Sequence, residues 1–123
     1  MPVSSKQHRT GKRLQSTILR YLKSHKYIEL GLPVDSVVAY KIEVANERGV
    51  PDILMCVNGR FVAIEVKGDD DKLSKIQWVQ LNRISKAGGL GWIVRDFDMF
   101  KDILRIVGEE MITKYQTNQK GKS

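Results

Sequence analysis

The chain is poor in the residues that build disulfide and zinc scaffolds. Its 123 residues include one cysteine and two histidines, which excludes an intramolecular disulfide and leaves no cluster with the spacing of zinc ligands. Only three prolines, ten glycines and 41% hydrophobic residues exclude a collagenous, disordered or low-complexity chain. A chain of this length predicts one compact domain.

Long apolar runs are also missing. The longest uninterrupted apolar stretches fall far short of the roughly 18 residues that a membrane helix needs, and the polar, basic first residues do not resemble a secretory signal. We therefore expect a protein of the cytoplasm without a membrane partner.

Acidic residues are absent from the first 28 positions. From Glu29 onward the two signs balance, so the net charge of +7 comes entirely from the N-terminal segment. This asymmetry favours a polyanionic partner, above all nucleic acid, whose binding depends on salt because neutralised phosphates release counterions. Solvated surface charge and a membrane-surface helix are the alternatives. The predicted DNA-binding residues are Lys6, Arg9, Lys12, Arg13, Arg20, Lys23 and Lys26.

Apolar periodicity predicts a first helix over about residues 12–25. Four apolar residues recur there at the spacing of one helix face, with the basic residues around the rest of the surface. A strand over 37–44 and a loop over 45–51 follow, because β-rich residues give way to turn formers. The four apolar residues are Leu14, Ile18, Tyr21 and Leu22.

The pair Asn58-Gly59 separates two β-rich runs, 52–57 and 60–67. Asn-Gly suits a two-residue type I′ turn, which predicts a hairpin and fixes its register. Residues whose numbers sum to 117 then face each other, so Asp52 lies directly opposite Glu65. Cys56 follows Asp52 by four residues on the same face and is expected in the core.

Capping signals predict two further helices. Ser74 and Gln77 have the spacing of a capping box, which begins a helix that runs to about residue 87. A strand over 90–94 follows, and helical spacing resumes after Asp96. The order α, β, β, β, α, β, α predicts one α/β domain with a mixed sheet flanked by helices.

The predicted domain spans 12–115. It lies between a flexible basic N-terminus, 1–11, and a basic tail, 116–123. Trp78 and Trp92 are expected in the core or at an interface.

The opposition of Asp52 and Glu65 is unfavourable unless something offsets it. Directly opposed side chains have Cβ atoms about 4.5 to 5.5 Å apart, and two like charges at about 5 Å repel by about 3 kcal/mol at an effective dielectric of about 20. One acid could be protonated, Lys67 could neutralise the pair, or Mg²⁺ or Mn²⁺ could bind between the oxygens. A cation would also accept the backbone carbonyl of Val66, and Lys67 would then lie near charge developing on a phosphate.

The acidic residues lie in a recognisable motif. Gly49-Val50-Pro51-Asp52, followed after twelve residues by Glu65-Val66-Lys67, resembles the PD-(D/E)xK nuclease superfamily. The residues of the motifs are similar to those of its VRR-NUC branch in particular, and the resemblance covers about residues 12–95. The segments that carry the resemblance are 49–52, 58–67, 73–77 and 86–89.

The resemblance implies a restriction-endonuclease-like αβββαβ core and hydrolysis of phosphodiester bonds with Mg²⁺ or Mn²⁺. By the same resemblance Asp52 and Glu65 are metal ligands, joined by the carbonyl of Val66. Lys67 is the catalytic lysine, and Gln77 is an auxiliary active-site residue on the following helix.

The resemblance also implies a substrate. Small stand-alone phage and bacterial members of this branch are similar to Holliday junction resolvases, which are homodimers that nick four-way DNA junctions. No base-reading motif is present, so recognition by DNA shape is expected. A nuclease acting on flaps or linear duplex, and a non-catalytic DNA-binding module with a degenerate site, remain alternatives.

One departure concerns the first helix. Many relatives carry a glutamate there that contributes to the metal site, whereas here no acid precedes Glu29. Gln15 is one candidate for the equivalent place. Glu43 and Glu47, from the strand and the loop, are the others.

Overall fold

The computed structural model describes the backbone of residues 10–121 and the side chains of residues 10–110. Within these limits the α/β class, the αβββαβ order and the mixed sheet flanked by helices are as predicted. A 3₁₀ turn, Lys26–Leu30, follows the first helix and was not predicted. The elements are α1 (Gly11–Lys23), β1 (Val37–Lys41), β2 (Ile53–Val57), β3 (Arg60–Val66), α2 (Lys75–Lys86), β4 (Leu90–Val94) and α3 (Phe97–Gly121).

The sheet has the order β1-β2-β3-β4. The first two pairs are antiparallel, and β3 and β4 are parallel, with α2 as the crossover between them. The predicted hairpin register is confirmed, since Ile53 pairs with Ile64. Asn58 and Gly59 have φ values of 48° and 91°, the two positive angles that a type I′ turn requires.

One face of the sheet carries the hydrophobic core. The predicted apolar face of α1 is buried there, and α3 packs beside it through residues such as Phe100 and Leu104. The strand residues of this face are at most 6% exposed, and they alternate along β2 and β3 as a pleated strand requires. They are Ile53, Met55, Val57, Val62, Ile64 and Val66.

The opposite face is only half covered. Helix α2 packs over β3 and β4, where Ala63 is fully buried and Leu81 is 5% exposed. Towards β1 the same face is open, with Val38 49% and Phe61 46% exposed. The prediction that Cys56 lies in the core is wrong: the residue is exposed, because α2 does not extend over β2.

The structure describes little of the predicted N-terminal segment, 1–11, and most of the predicted tail, 116–123. Lys6 and Arg9 lie outside the described residues, and Thr10 caps α1 by accepting a hydrogen bond from the N–H of Arg13 at 3.1 Å. At the other end α3 continues to Gly121, so most of the predicted tail, 116–123, belongs to this helix. No helix in the described part of the chain is long and apolar enough to cross a membrane.

Candidate active site

The hairpin brings Asp52 and Glu65 together at the end of β3. Asp52 immediately precedes β2, and the register that pairs Ile53 with Ile64 places Asp52 opposite Glu65. Asp52 Oδ2 accepts a hydrogen bond of 2.9 Å from the backbone N–H of Val66. This bond fixes the carboxylate beside the strand that carries the second acid.

Glu65 is the buried acid of the pair, with 2% of its surface exposed. Its Oε2 accepts a hydrogen bond of 3.2 Å from Gln77 Nε2 and lies 3.7 Å from Lys67 Nζ. Its Oε1 is buried and has no hydrogen-bond partner within the described structure. A buried acceptor left unpaired costs about 1–3 kcal/mol, so this oxygen marks a position where a ligand would be stabilising.

A single amide joins the start of α2 to this carboxyl group. Gln77 Oε1 accepts from the backbone N–H of Ser74 at 2.9 Å, and the N–H of Gln77 donates to Ser74 Oγ at 3.2 Å. The predicted capping box is therefore formed. Because the cap uses the amide oxygen, the amide nitrogen remains to donate to Glu65, and Gln77 serves both the helix and the site.

The environment of Glu65 favours its neutral form. Burial raises the pKa of Glu65 to about 8, the negative charge of Asp52 acts in the same direction, and Lys67 opposes them. In the protein by itself, protonation of Glu65 thus relieves the repulsion of the two acids. A cation that binds between them must displace this proton.

Two helix starts flank the acidic pair. A Cβ atom added to Gly11, the first residue of α1, would lie 3.6 Å from the carbonyl oxygen of Val66 and 3.4 Å from the backbone nitrogen of Gly68. The first turn of α2 contacts Glu65 through Gln77. Neither first turn contains an acidic residue, but Asp71 Oδ2 would lie 3.4 Å from a Cβ atom on Gly11, so a carboxylate already lies beside the start of α1.

The loop after β3 is held by residues that the sequence analysis did not assign. Asp71 Oδ2 accepts from the N–H of Gly68 at 2.8 Å, and Arg95 Nη1 donates to the carbonyls of Gly68 and Asp71, both at 2.9 Å. Arg95 follows β4, the parallel neighbour of β3, and the carboxyl ends of parallel strands meet at one edge of the sheet. That adjacency is the signal that could have identified it.

The predicted auxiliary acids do not join the site. Glu43 pairs with Lys41 at 3.1 Å, and Glu47 pairs with Arg83 at 2.7 Å. The loop that carries Glu47 folds onto α2: a Cβ on Gly49 would lie 2.9 Å from the backbone of α2. This close approach directs Glu47 along the outside of α2 and away from Glu65.

Gln15 lies on the same side of α1 as Gly11. It is half-buried and follows Gly11 by four residues, about one helical turn. Gly11 lies beside the Val66 carbonyl. The suggested place of Gln15 near the metal ligands stays a prediction.

The donor set fits a hard divalent cation with few protein ligands. Across residues 10–110 no three His, Cys, Asp or Glu side chains come together, so the set consists of two carboxylates and the carbonyl of Val66. The unpartnered oxygen of Glu65 supports the fit. Mg²⁺ prefers such oxygen donors and keeps several water ligands.

The basic residues of α1 and the 3₁₀ turn are exposed. None of them forms an ion pair with another residue of the described part, and neither α1 nor the residues before it contain an acid. The excess positive charge is thus concentrated on one surface. These residues are Lys12, Arg13, Arg20, Lys23 and Lys26.

Comparison of the chain with protein-family models, with curated protein sequences and with solved structures found no match.

Proposed function

We propose that this protein is a divalent-metal-dependent endodeoxyribonuclease related to the VRR-NUC branch of the PD-(D/E)xK nucleases. One observation carries the proposal: the buried Glu65 leaves one oxygen unpartnered opposite Asp52, with Lys67 at 3.7 Å. A purely structural role does not account for this arrangement, because the buried acid costs stability and its ion pair with Lys67 leaves Oε1 unpartnered.

Each residue of the site has a role in phosphodiester hydrolysis. Asp52, Glu65 and the Val66 carbonyl would hold Mg²⁺ or Mn²⁺, which when bound polarises a phosphoryl oxygen and makes water more acidic. Lys67 donates N–H groups towards negative charge that develops on the phosphate. Gln77 keeps Glu65 in orientation through its amide nitrogen.

The DNA partner is supported by the charge distribution. The unpaired basic residues of α1 lead away from the end of β3, and the starts of α1 and α2 lie beside that end. The absence of any base-reading motif favours recognition of DNA shape, and a four-way junction is the proposed substrate. A nuclease that acts on such DNA would work in the cytoplasm of the host cell.

A symmetric homodimer is part of the proposal, because resolving a four-way junction takes two cuts. Trp78 is 53% and Trp92 43% exposed, and both line a groove of about 370 Å³ beside the edge strand β4. These exposed rings suit an interface between two copies. Light scattering at increasing concentration tests it, and a constant monomer mass would remove this part of the proposal.

The second candidate is a DNA-binding module without catalysis. It is favoured by the small number of carboxylates in the site, since Glu43 and Glu47 are engaged elsewhere. Such a module would bind DNA independently of divalent metal.

The decisive experiment incubates the protein with labelled four-way junction, flap and linear duplex, in Mg²⁺, Mn²⁺ or a chelator. We expect metal-dependent nicking of the junction that Asp52→Asn abolishes while DNA binding remains. Asp102→Asn is the matched control, because Asp102 pairs with Arg105 on the surface of α3. DNA binding without cleavage under every condition would support the non-catalytic module, and preferred cleavage of flap or linear duplex would reassign the substrate.

A further inference from the structure

A second groove, of about 170 Å³, lies where α1, the 3₁₀ turn and the start of α3 meet. Its apolar wall contains Tyr21 and Phe97, whose rings meet edge to face with centroids 5.1 Å apart. Arg20 and Lys26 are exposed at its margin. The lining residues are Thr17, Arg20, Tyr21, Ser24, Lys26 and Phe97.

The two cations of this groove are not neutralised by the protein. Neither Arg20 nor Lys26 forms an ion pair within residues 10–110. The acids near the groove are Asp98, which is paired with Lys101 at 3.5 Å, and Glu29 of the 3₁₀ turn. Burial, together with the charge of Glu29, raises the pKa of Tyr21. Thr17 and Ser24 already donate to backbone carbonyls of α1. The groove therefore presents the donors of one guanidinium and one ammonium, which suit a phosphodiester.

The groove and the candidate active site lie at opposite ends of α1. Arg13, Thr17, Arg20 and Ser24 follow at spacings of four, three and four residues, which places them on one side of the helix. The same helix begins at Gly11, beside the carbonyl of Val66. Arg20 is nine residues further on, and nine residues of α-helix span about 13 Å.

We propose that the groove binds a backbone phosphate of the same DNA that is cut at Asp52 and Glu65. One DNA strand advances about 3.4 Å per nucleotide along the duplex axis. The bound phosphate therefore lies about three to four nucleotides from the scissile one if the strand follows α1. This inference rests on the proposed function, because it takes the acidic site as the point of cleavage.

The test uses the double variant Arg20→Gln/Lys26→Gln and its parent, both carrying Asp52→Asn so that the DNA is not cut. Their binding to a fluorescent four-way junction is measured at several salt concentrations. Each phosphate contact contributes about 0.9 to the slope of log K against log salt, so we expect the slope to fall by about 1. The matched control is Arg48→Gln/Lys86→Gln, two exposed cations outside α1. An unchanged slope in the first pair, or an equal fall in the control pair, would overturn the proposal.

A second measurement locates the contact. On substrates shortened on one side of the cut, the wild type and the double variant should bind equally once fewer than about three nucleotides remain, because the distal phosphate is gone. A difference that persists on the shortest substrate would contradict the assigned spacing. Thermal unfolding checks that the double variant is folded.

The groove and the nuclease can fail separately. If the wild type cuts no DNA but the double variant still lowers the salt slope, the groove stands and the nuclease does not. If cleavage is metal-dependent and the slope is unchanged, the nuclease stands and the groove does not. The inference would also be overturned if the wild type bound anionic phospholipid vesicles, the double variant did not, and both bound DNA equally.

Discussion

The two faces of the sheet bury neighbouring residues of one strand for opposite reasons. In β3, Ile64 points towards α1 and α3, and Glu65 points towards α2. Both are buried, at 0% and 2% exposure. Ile64 stabilises the fold through apolar contacts, whereas Glu65 meets another acid and keeps one oxygen unpartnered. Burial alone thus does not reveal a residue's role, and the face that loses stability is the one where we propose the chemistry.

Lys67→Met is expected to have the largest effect, on activity alone. It removes the ammonium beside Glu65, so junction cleavage should fall about 1,000-fold, or about 4 kcal/mol of transition-state free energy. Single-turnover cleavage in Mn²⁺ measures it. The control is Lys101→Met, which removes the ion pair between Lys101 and Asp98 and should cleave the junction normally. Retained cleavage in Lys67→Met would remove the lysine from the mechanism.

Ile64→Ala tests the other face. Truncating a fully buried isoleucine leaves a cavity, and we expect the free energy of unfolding to drop by about 3 kcal/mol. Urea denaturation measures it, with Val38→Ala on the open half of the sheet as the control that changes stability by less than about 1 kcal/mol. Equal losses in the two variants would contradict the division between a packed and an open face.

Glu65→Gln is expected to stabilise the protein at high pH in the absence of divalent metal. The folded protein keeps a proton on Glu65 up to a pKa of about 8, whereas the ordinary value is 4.5. The contribution of Glu65 to wild-type stability is therefore fully present below about pH 4.5 and is lost as the pH rises through 8. At pH 9 the variant should be more stable by on the order of 2 kcal/mol, allowing for screening by solvent.

The matched control for this pH dependence is Glu47→Gln. A hydrogen bond from Arg83 lowers the pKa of Glu47, so its contribution is present above the ordinary pKa and is lost as the pH falls. Denaturation between pH 4 and 9 distinguishes the two signs. A wild-type curve that rises between pH 6 and 9, or a Glu65→Gln curve with the same fall, would contradict the assignment.

Gln15→Glu sharpens the comparison by adding a carboxylate on α1, the helix that packs on the core face of the sheet. If residue 15 reaches the Asp52 and Glu65 site, a third carboxylate should tighten Mn²⁺ binding by about tenfold. Calorimetric titration measures it. Ser16→Glu, one residue along on the exposed surface of α1, is the control. Equal Mn²⁺ affinity in both variants would show that position 15 does not belong to the metal site.

Ser74→Ala is expected to have the smallest effect. It removes the hydroxyl that caps α2 and should cost about 1 kcal/mol of unfolding free energy, measured by thermal denaturation. Cleavage should fall less than tenfold, since Gln77 still contacts Glu65. A larger loss of cleavage with unchanged stability would show that Ser74 acts on the substrate directly.

Local signals were sufficient to predict much of the fold and the paired acids. The Asn58-Gly59 turn determines the hairpin register, and the register alone places Asp52 opposite Glu65. The Ser74 capping pattern likewise identifies the start of α2. These predictions succeeded because turn and cap geometry depend on residues close in sequence.

Features that depend on long-range packing were not predictable in the same way. Nothing in the local sequence shows that Gly49 packs against α2, and this contact directs Glu47 towards Arg83. The exposure of Cys56 depends on where α2 crosses the sheet. Arg95 reaches across to the loop after β3, a contact that requires knowledge of strand order.

The shared amide of Gln77 restricts what evolution or a protein engineer can place at this position. Glutamate would complete the helix cap equally well, but it would lack the N–H that donates to Glu65 and would add a third carboxyl group to the site. Leucine would satisfy neither partner. Two independent requirements thus converge on one residue type, and tolerance to exchange at position 77 should be narrower than either requirement alone would impose.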